Sequence, residues 1–322
     1  MDQSDIPIID LTPLFKEDDN GIEIIASQLF EAYSTLGFAQ LINHQIPTNI
    51  IDNIFQASKD FHELGIDEKM QLKYKDNLRG YIPMNMSTLA RSTLGSAKKP
   101  NQSESFMILD ESPLLQSPKW VNSSLAGHNI WPTQLPYFKK YVMEYYQAMV
   151  TLSKKLIRIF SIAMGMPHDY LDKYFTDPNI FLRLLYYPPV TQDTSTDSFG
   201  SAPHTDYGCL TLLAQDDTGG LQVKHPENDS WIDVPCLNNG LVLNTGQMME
   251  IWSNGLIKAT PHRVINSGNK KRYSIPFFYN CNLDTYVAPL SNFITETNPI
   301  KFTPINYGEH LERTLRSNYK FV

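Results

Sequence analysis

Cysteine is scarce in this sequence. The chain has three cysteines, Cys209, Cys236 and Cys281, and none belongs to a CxxC pair. An odd number of widely spaced thiols does not suggest a disulfide framework, and without a CxxC pair a cysteine zinc site is not indicated. A reducing compartment fits this composition, so we expect a cytoplasmic protein.

Positive charge in excess and long apolar runs are also missing. The 322 residues carry a formal net charge of -7, with 42% hydrophobic and 19% charged residues, as in an ordinary globular protein. Binding to a nucleic-acid backbone needs a basic patch, which this acidic chain does not suggest. No run approaches the roughly 18 apolar residues of a membrane span, and the N-terminus lacks the pattern of a secretory signal. We therefore expect neither a nucleic-acid nor a membrane partner. We also expect the protein to be a monomer.

The pattern along the chain changes from helical to β-rich near its middle. Helical spacing of apolar residues predicts helices over about 22–35, 49–64 and 135–164, and short apolar runs separated by turn signals follow from about Ile180. Many short strands at this spacing favour an antiparallel sandwich or barrel. We predict an α+β protein whose β-rich core is a double-stranded β-helix (jelly roll) with flanking N-terminal and C-terminal helices.

The predicted regions form one compact unit. They are a region of helices and edge strands at 1–120, a long connecting helix at 121–175, the jelly-roll core at 176–285 and a helical tail at 286–322.

A histidine and an aspartate share one side of a β-like run in the core region. In SAPHTDYGCLTLLAQ, His204 and Asp206 are two positions apart, so on a strand their side chains point the same way while Thr205 points opposite. Two histidines and one carboxylate with open positions are typical of a non-haem Fe(II) site. Short HxD motifs also arise by chance, so the pair alone does not establish a metal site.

The best candidate for the third ligand is His262. It lies in a second β-like stretch, ATPHRVI, and strands distant in sequence meet in the core of a jelly roll. The other six histidines occur mainly in loop or helix-end contexts. A single histidine on a strand is more often structural than a ligand, so the structural alternative stays open here.

An arginine opens the strong strand that follows. Arg272 and Ser274 share one face of this strand, and no acidic residue lies nearby in sequence. A buried, unpaired guanidinium is costly, so an inward-facing Arg272 would need an anionic partner such as a ligand carboxylate. The alternative is an arginine that faces solvent or pairs with a distant acidic residue.

Taken together, these residues resemble a known family. The chain is similar over almost its whole length to the iron(II)/2-oxoglutarate-dependent dioxygenases, in the branch that includes isopenicillin N synthase and the plant hormone and flavonoid oxygenases. The matching segments are IPIIDL at 6–11, GF at 37–38, NHQIP at 43–47, RGYIP at 79–83, LRLLYYPP at 182–189, HTD at 204–206, WSNG at 252–255, PHRVI at 261–265, RYS at 272–274 and NYGE at 306–309.

The resemblance implies a role for each matching residue. His204, Asp206 and His262 match the iron ligands. Arg272 and Ser274 match the residues that bind the distal carboxylate of 2-oxoglutarate, and Tyr187 matches a tyrosine that hydrogen-bonds it. Two positions depart from the family pattern, Leu185 in place of an asparagine and Gln247 in place of a frequent acidic residue.

The same resemblance implies the reaction. Iron(II), 2-oxoglutarate and O2 would oxidise an unactivated C–H bond of a small molecule by hydroxylation, desaturation or ring closure, with release of succinate and CO2. Three alternatives stay open at this point. They are an oxidase of the isopenicillin N synthase kind that uses no 2-oxoglutarate, a catalytically silent binding module on the same scaffold, and a zinc hydrolase.

Candidate substrate contacts come from the long loop region and the last strand. The loop region near 77–101 is rich in Gly, Ser, Asn, Met and Pro. We expect the overlapping segment 84–106 to cover the site. Phe278 lies an even number of positions from Arg272 and Ser274, so a regular strand puts it on their face. The candidates are Tyr81, Met84, Met86, Arg91, Phe106 and Phe278.

Overall fold

The computed structural model describes residues 6–16, 18–75, 77–88, 99–111, 119–190, 199–266 and 269–319. Within these ranges the helices are α1 (Thr12–Phe15), α2 (Asp19–Thr35), α3 (Thr48–Glu63), α4 (Ile66–Gln71), α5 (Phe138–Ala163), α6 (Gln247–Trp252) and α7 (Tyr307–Asn318). Short 3-10 turns occupy Asp172–Tyr174 and Ser291–Phe293. None of the helices in these ranges is long and apolar enough to cross a bilayer.

The strands of the described ranges divide into three sheets. They are β1 (Ile8–Asp10), β2 (Phe38–Ile42), β3 (Gly80–Ile82), β4 (Glu104–Leu109), β5 (Asn179–Tyr187), β6 (Ser201–His204), β7 (Leu210–Gln215), β8 (Leu221–Lys224), β9 (Trp231–Asp233), β10 (Leu241–Thr245), β11 (His262–Val264), β12 (Arg272–Asn280), β13 (Tyr286–Val287) and β14 (Ile305–Asn306). The large sheet has the order β1-β2-β10-β7-β12-β5-β4-β3, the small sheet the order β6-β11-β8-β9, and β13 pairs with β14.

The large sheet has two different faces because side chains alternate along each strand. On β12, Ile275, Phe277 and Tyr279 join the main hydrophobic core, which also contains the buried sides of α2, α3 and α5. The other face of the large sheet meets the small sheet across a second apolar cluster. This barrel cluster includes Leu185, Tyr187 and Leu213 from the large sheet, with Val223 and Val264 from the small one. Two largely antiparallel sheets packed in this way, with only β1 and β2 paired in parallel among the described strands, are the predicted jelly roll, which is confirmed.

Local sequence signals set several boundaries. The helix α2 ends at Thr35, and Gly37 follows with a φ of +76°, where a side chain is disfavoured. A Cβ at Gly37 would lie 2.3 Å from Thr260 Oγ1, so this turn also needs the missing side chain for space. The helix α7 begins after Asn306, whose side chain accepts a hydrogen bond from the Glu309 N–H. These two signals set where β2 and α7 begin.

The N-terminal region contributes strands as well as helices. The strands β1 and β2 extend the large sheet at one edge, and β3 and β4 extend it at the other. The long helix begins only at Phe138. The preceding residues 119–137 form turns and irregular backbone. The C-terminal part holds the short β13–β14 pair before α7.

Two of the predicted substrate contacts lie on the helical side of the large sheet. The Phe106 ring is fully buried, with its centroid 4.7 Å from that of Phe61 and 5.2 Å from that of Phe138. Tyr81 is buried beside it, and its hydroxyl donates to Glu104, which also pairs with Lys69 at 2.7 Å. Alternation along β4 therefore assigns Phe106 to core packing, and we do not retain Tyr81 or Phe106 as substrate contacts.

We expect Phe106→Ala to destabilise the fold by about 3–5 kcal/mol, because it removes a fully buried ring from an aromatic cluster. Urea unfolding measures this change, and Tyr286→Ala, at a side chain that is 70% exposed, is the control with little expected effect. A Phe106→Ala protein of unchanged stability and altered substrate preference would return this residue to the substrate site.

Candidate active site

The small sheet brings the two candidate histidines together. His262 begins β11 and lies directly opposite His204, the last residue of β6. The pairing shifts by one residue between His262 and Val264, so that β6 has one residue more than β11 between the paired positions, as in a β-bulge. Asp206 lies two residues beyond the end of β6, so the predicted regular strand holds for His204 and not for Asp206. The three side chains nevertheless converge.

The convergence is close enough for a shared ion. One ligand atom from each of His204, Asp206 and His262 lies within 4.8 Å of the others. The Nε2 atoms of both histidines lie 3.8 Å from Asp206 Oδ1. Distances of this size suit three ligands around one metal better than direct hydrogen bonds.

Backbone carbonyls orient both imidazoles. His204 Nδ1 lies 2.8 Å from the Ala202 carbonyl oxygen, and His262 Nδ1 lies 3.1 Å from that of Thr260. Each carbonyl can only accept, so each Nδ1 carries the proton and each Nε2 lone pair faces the centre. Burial, followed by the neighbouring His262, lowers the pKa of His204 to about 4, which keeps this ring neutral at physiological pH. Neutral imidazole is the form that binds metals.

The two oxygens of the Asp206 carboxylate have different neighbours. Its Oδ2 accepts hydrogen bonds from Thr211 Oγ1 at 2.5 Å and from Asn244 Nδ2 at 2.7 Å, which leaves Oδ1 toward the histidines. Burial acts to raise the pKa of Asp206. Electrostatic interaction with the imidazoles of His262 and His204, together with these two hydrogen bonds, outweighs burial and lowers that pKa below its ordinary value. The carboxylate is therefore ionised and fixed in orientation.

The turn after Asp206 is clamped by the start of α6. The Asp206 carbonyl oxygen accepts from the N–H of Gln247, and that of Gly208 from the N–H of Met248. Gly246 makes this approach possible, since a Cβ there would lie 2.4 Å from the Gly208 carbonyl oxygen. The Gln247 side chain donates to Thr205 Oγ1 at 2.9 Å, which also connects α6 to this turn.

The donor set fits Fe(II). Two imidazoles and one carboxylate are the donor set typical of non-haem Fe(II) oxygenases. Each ligand also has the outer hydrogen bonds that such sites need. The described part of the chain offers no other cluster of three or more potential ligands.

Arg272 lies inside the barrel and does not face solvent. It is buried, and its Cζ lies 4.7 Å from the Tyr187 ring centroid. Its Nε donates to the Gly219 carbonyl oxygen at 2.6 Å, and one terminal nitrogen lies 3.3 Å from Ser274 Oγ. Across the described ranges no carboxylate lies within 4.0 Å of this guanidinium. Leu185, the departure from the family pattern, lies directly across from Ser274.

A cavity of about 110 Å³ opens beside the triad. Of the predicted substrate contacts, Phe278 lines it, while Met84 and Met86 are half-buried outside its lining. Arg91 lies outside the described residues, as does 89–98 within the loop at 84–106. The described lining residues are Ser87, Thr88, Asn101, Met107, Phe181, Arg183, Ser201, His204, Asp206, Tyr207, Gly208, Phe278, Asn280, Tyr307, Leu311, Leu315, Asn318 and Tyr319.

Three residues of the site, Thr211, Asn244 and Arg183, were not identified from the sequence. Thr211 and Asn244 are cross-strand neighbours, and each is a polar residue directly after a leucine in a mainly apolar strand, which was the available signal. Arg183 likewise interrupts the apolar strand β5, within a segment that was used only for its resemblance. Which face each residue occupies depends on strand register, and the sequence alone did not provide that.

We expect Asn244→Leu to weaken binding of divalent cobalt by about 10- to 100-fold, because Asp206 loses one of the two donors that orient it. The absorption spectrum of bound cobalt measures this without turnover. Gln40→Leu replaces a buried amide on β2, next to β10, and should leave the cobalt affinity unchanged. Equal affinities in Asn244→Leu and wild type would contradict the orienting role.

Comparison with known proteins agrees with this geometry. Residues 178–280 match the 2OG-Fe(II) oxygenase superfamily, and residues 6–134 match the family described as non-haem dioxygenase in morphine synthesis N-terminal. The chain is 32% identical to homoarginine-6-hydroxylase 2-ODD-C23 of Glycine max, over 99% of this chain and 98% of that protein. It is 33% identical to the 2-oxoglutarate-dependent dioxygenase tropC of Talaromyces stipitatus, over 92% and 91% of the two chains.

Solved structures share the fold over nearly the whole chain. A full-length Neurospora crassa protein in complex with alpha-KG and thymine superposes with a TM-score of 0.84 at 28% identity, covering 98% of this chain and 97% of that one. A putative 2OG-Fe(II) oxygenase family protein from Caulobacter crescentus gives a TM-score of 0.82 at 27% identity, covering 97% and 99%. With its His-Asp-His site, this chain belongs to the 2-oxoglutarate/Fe(II) oxygenase family and is a dioxygenase that uses Fe(II), 2-oxoglutarate and O2.

Proposed function

We propose that this enzyme oxidises an unactivated C–H bond of a small organic molecule while 2-oxoglutarate is converted to succinate and CO2. In this proposal His204, Asp206 and His262 bind the iron, and Arg272 and Ser274 bind the far carboxylate of 2-oxoglutarate, with Tyr187 beside it. Hydroxylation, desaturation and ring closure all begin from the same C–H bond, and the position of the substrate decides among them.

The observation that carries the proposal is the buried Arg272 guanidinium without a carboxylate partner among the described residues. Its described hydrogen-bond partners are neutral oxygens, from Gly219, Ser274 and Gln215. A charge left unpaired inside an apolar barrel cluster is costly. A dicarboxylate co-substrate supplies the missing anion, and the planar guanidinium can hold it through two parallel bonds.

Strand β7 supports the spacing between the two ends of this co-substrate. Thr211, which holds Asp206, and Gln215, which lies next to Arg272, are on the same face of β7, four residues apart. Four residues of antiparallel strand span roughly 13–14 Å. An extended five-carbon dicarboxylate, bound to a metal at one end and to an arginine at the other, fits a distance of this order.

The protein's own residues supply position and shielding. Iron held by His204, Asp206 and His262 would supply the redox chemistry of 2-oxoglutarate and O2. Asp206 and the two histidines hold the facial arrangement, and the rest of the lining excludes water from the reacting atoms. The end of α7 covers the cavity, because Asn318 Nδ2 donates to the Tyr207 hydroxyl at 2.6 Å and the Asn318 carbonyl oxygen accepts from the Thr88 N–H at 3.0 Å.

A cytoplasmic monomer acting on a small molecule is part of the same proposal. The three cysteines are all free thiols, and Cys209 and Cys281 are buried. Such thiols stay reduced in that compartment. Fractionation of the source cells and light scattering of the purified protein test the location and the monomeric state.

We expect Arg272→Met to weaken 2-oxoglutarate binding by roughly 10- to 100-fold or more, since it removes charge-assisted hydrogen bonds. Calorimetry on the cobalt-loaded protein measures the affinity, and the cobalt content should stay near that of wild type. Ser274→Ala should have a smaller effect, and Arg158→Met, at an exposed pair with Asp172, is the control for loss of an arginine.

Two outcomes would contradict this assignment. Unchanged 2-oxoglutarate affinity in Arg272→Met, together with lost affinity for the organic substrate, would assign Arg272 to the substrate instead of the co-substrate. Unchanged affinity for both would make Arg272 a structural residue.

We expect His204→Ala to abolish succinate formation, because two remaining ligands do not hold the metal firmly. Cobalt binding and 2-oxoglutarate decarboxylation are measured on the same sample. His128→Ala, at a side chain that is 77% exposed, serves as the histidine control. A His204→Ala protein that keeps its metal and its turnover would remove His204 from the proposed site.

A further inference from the structure

The cavity beside the triad contains a cation that the proposed reaction does not use. Arg183 lies on β5, directly across from Met107 on β4, and both residues line the cavity. It is half-buried, and among the described lining residues it is the only arginine or lysine. A lone cation in a small cavity calls for a chemical reason.

The described contacts of Arg183 are all with neutral groups. Its Nε donates to Ser105 Oγ at 2.8 Å, and one terminal nitrogen donates to the Tyr319 hydroxyl at 3.2 Å. Within the described ranges no carboxylate lies within 4.0 Å of it. These two bonds fix one edge of the guanidinium and leave donors of the fork toward the cavity.

The other charges of the proposed site balance one another. Asp206 and the two negative charges of 2-oxoglutarate are matched by the divalent iron and by Arg272. The described lining contains no acidic side chain other than Asp206. Arg183 therefore remains as one uncompensated positive charge in a partly dehydrated cavity, where attraction to an anion is stronger than in water.

We propose that Arg183 binds a carboxylate of the substrate, so that the enzyme selects small monoanionic carboxylic acids. This inference rests on the proposed function. The planar fork matches a carboxylate, and a single cation suits one negative charge. Phe181 and Phe278 add aromatic walls to the cavity. Its volume of about 110 Å³ is below the roughly 150 Å³ of a protein cavity that holds benzene, which indicates an acid with a short chain or at most one ring.

Tyr319 connects this contact to the cover of the cavity. It follows the last residue of α7, and its ring centroid lies 5.9 Å from Arg183 Cζ. A purely structural Arg183 would serve only to hold Tyr319. In that case its loss would weaken charged and neutral ligands equally, and Tyr319→Phe would have the same effect.

The test compares carboxylates with their uncharged amides. The probes are benzoate and benzamide, phenylacetate and phenylacetamide, and butyrate and butyramide. Calorimetry measures their binding to anaerobic protein that holds iron(II) and saturating 2-oxoglutarate. In wild type, at least one carboxylate should bind about 10- to 100-fold more tightly than its amide, as for a charge-assisted bond. Arg183→Met should abolish this preference, Arg183→Lys should retain part of it, and Tyr319→Phe should retain most of it.

The controls separate the possible failures. Arg158→Met should keep the wild-type preference, and every variant is first checked for cobalt and 2-oxoglutarate binding. If Arg183→Met does not fold, Arg183→Gln against Arg183→Lys gives the same comparison. Absence of any carboxylate preference in wild type, or its survival in Arg183→Met or Arg183→Gln, overturns the inference. Failure of wild type to bind 2-oxoglutarate or metal at all overturns the proposed function instead.

Discussion

The rest of the site depends on the hydrogen bonds that fix the orientation of the Asp206 carboxylate. One oxygen is anchored to the large sheet by Thr211 and Asn244, and the other faces the two histidines of the small sheet. This carboxylate therefore joins the two halves of the jelly roll at the metal-facing end. If Oδ2 lost its donors, Asp206 could rotate, and the triad would lose both its geometry and the balance that keeps the carboxylate ionised despite burial.

A jelly roll suits this chemistry because the two faces of its large sheet differ in polarity. The helical side of the large sheet buries an apolar core, whereas on the barrel side Asp206 contacts Thr211 of β7 and Arg272 contacts Gln215, four residues further along that strand. Strand alternation keeps these charges on one face, and β7 fixes their separation. In the proposed site, a long, doubly charged ligand would be bound by the strands of the fold rather than by a flexible loop, which limits the cost of ordering the site.

The sequence allowed prediction of those parts that depend on local order. The strand β12 begins at Arg272 as predicted, and its period of two correctly put Arg272, Ser274 and Phe278 on one face. Local order could not show that Asp206 lies beyond the end of β6, nor that Phe106 faces the helices. Both depend on where strands end and which neighbours they pair with, and these properties are set by long-range packing.

The cavity walls show the same limit more sharply. Met107, Arg183 and Phe278 stand on three adjacent strands that are distant in sequence, and each reaches the cavity only because of its register. A shift of β5 by one residue would put Leu182 or Leu184 in place of Arg183, and the cavity would lose its cation while the strand kept its apolar character. Conversely, the register that buries Leu182 and Leu184 in the core also directs Arg183 into the cavity. The packing that stabilises the large sheet thus decides which charge a substrate meets.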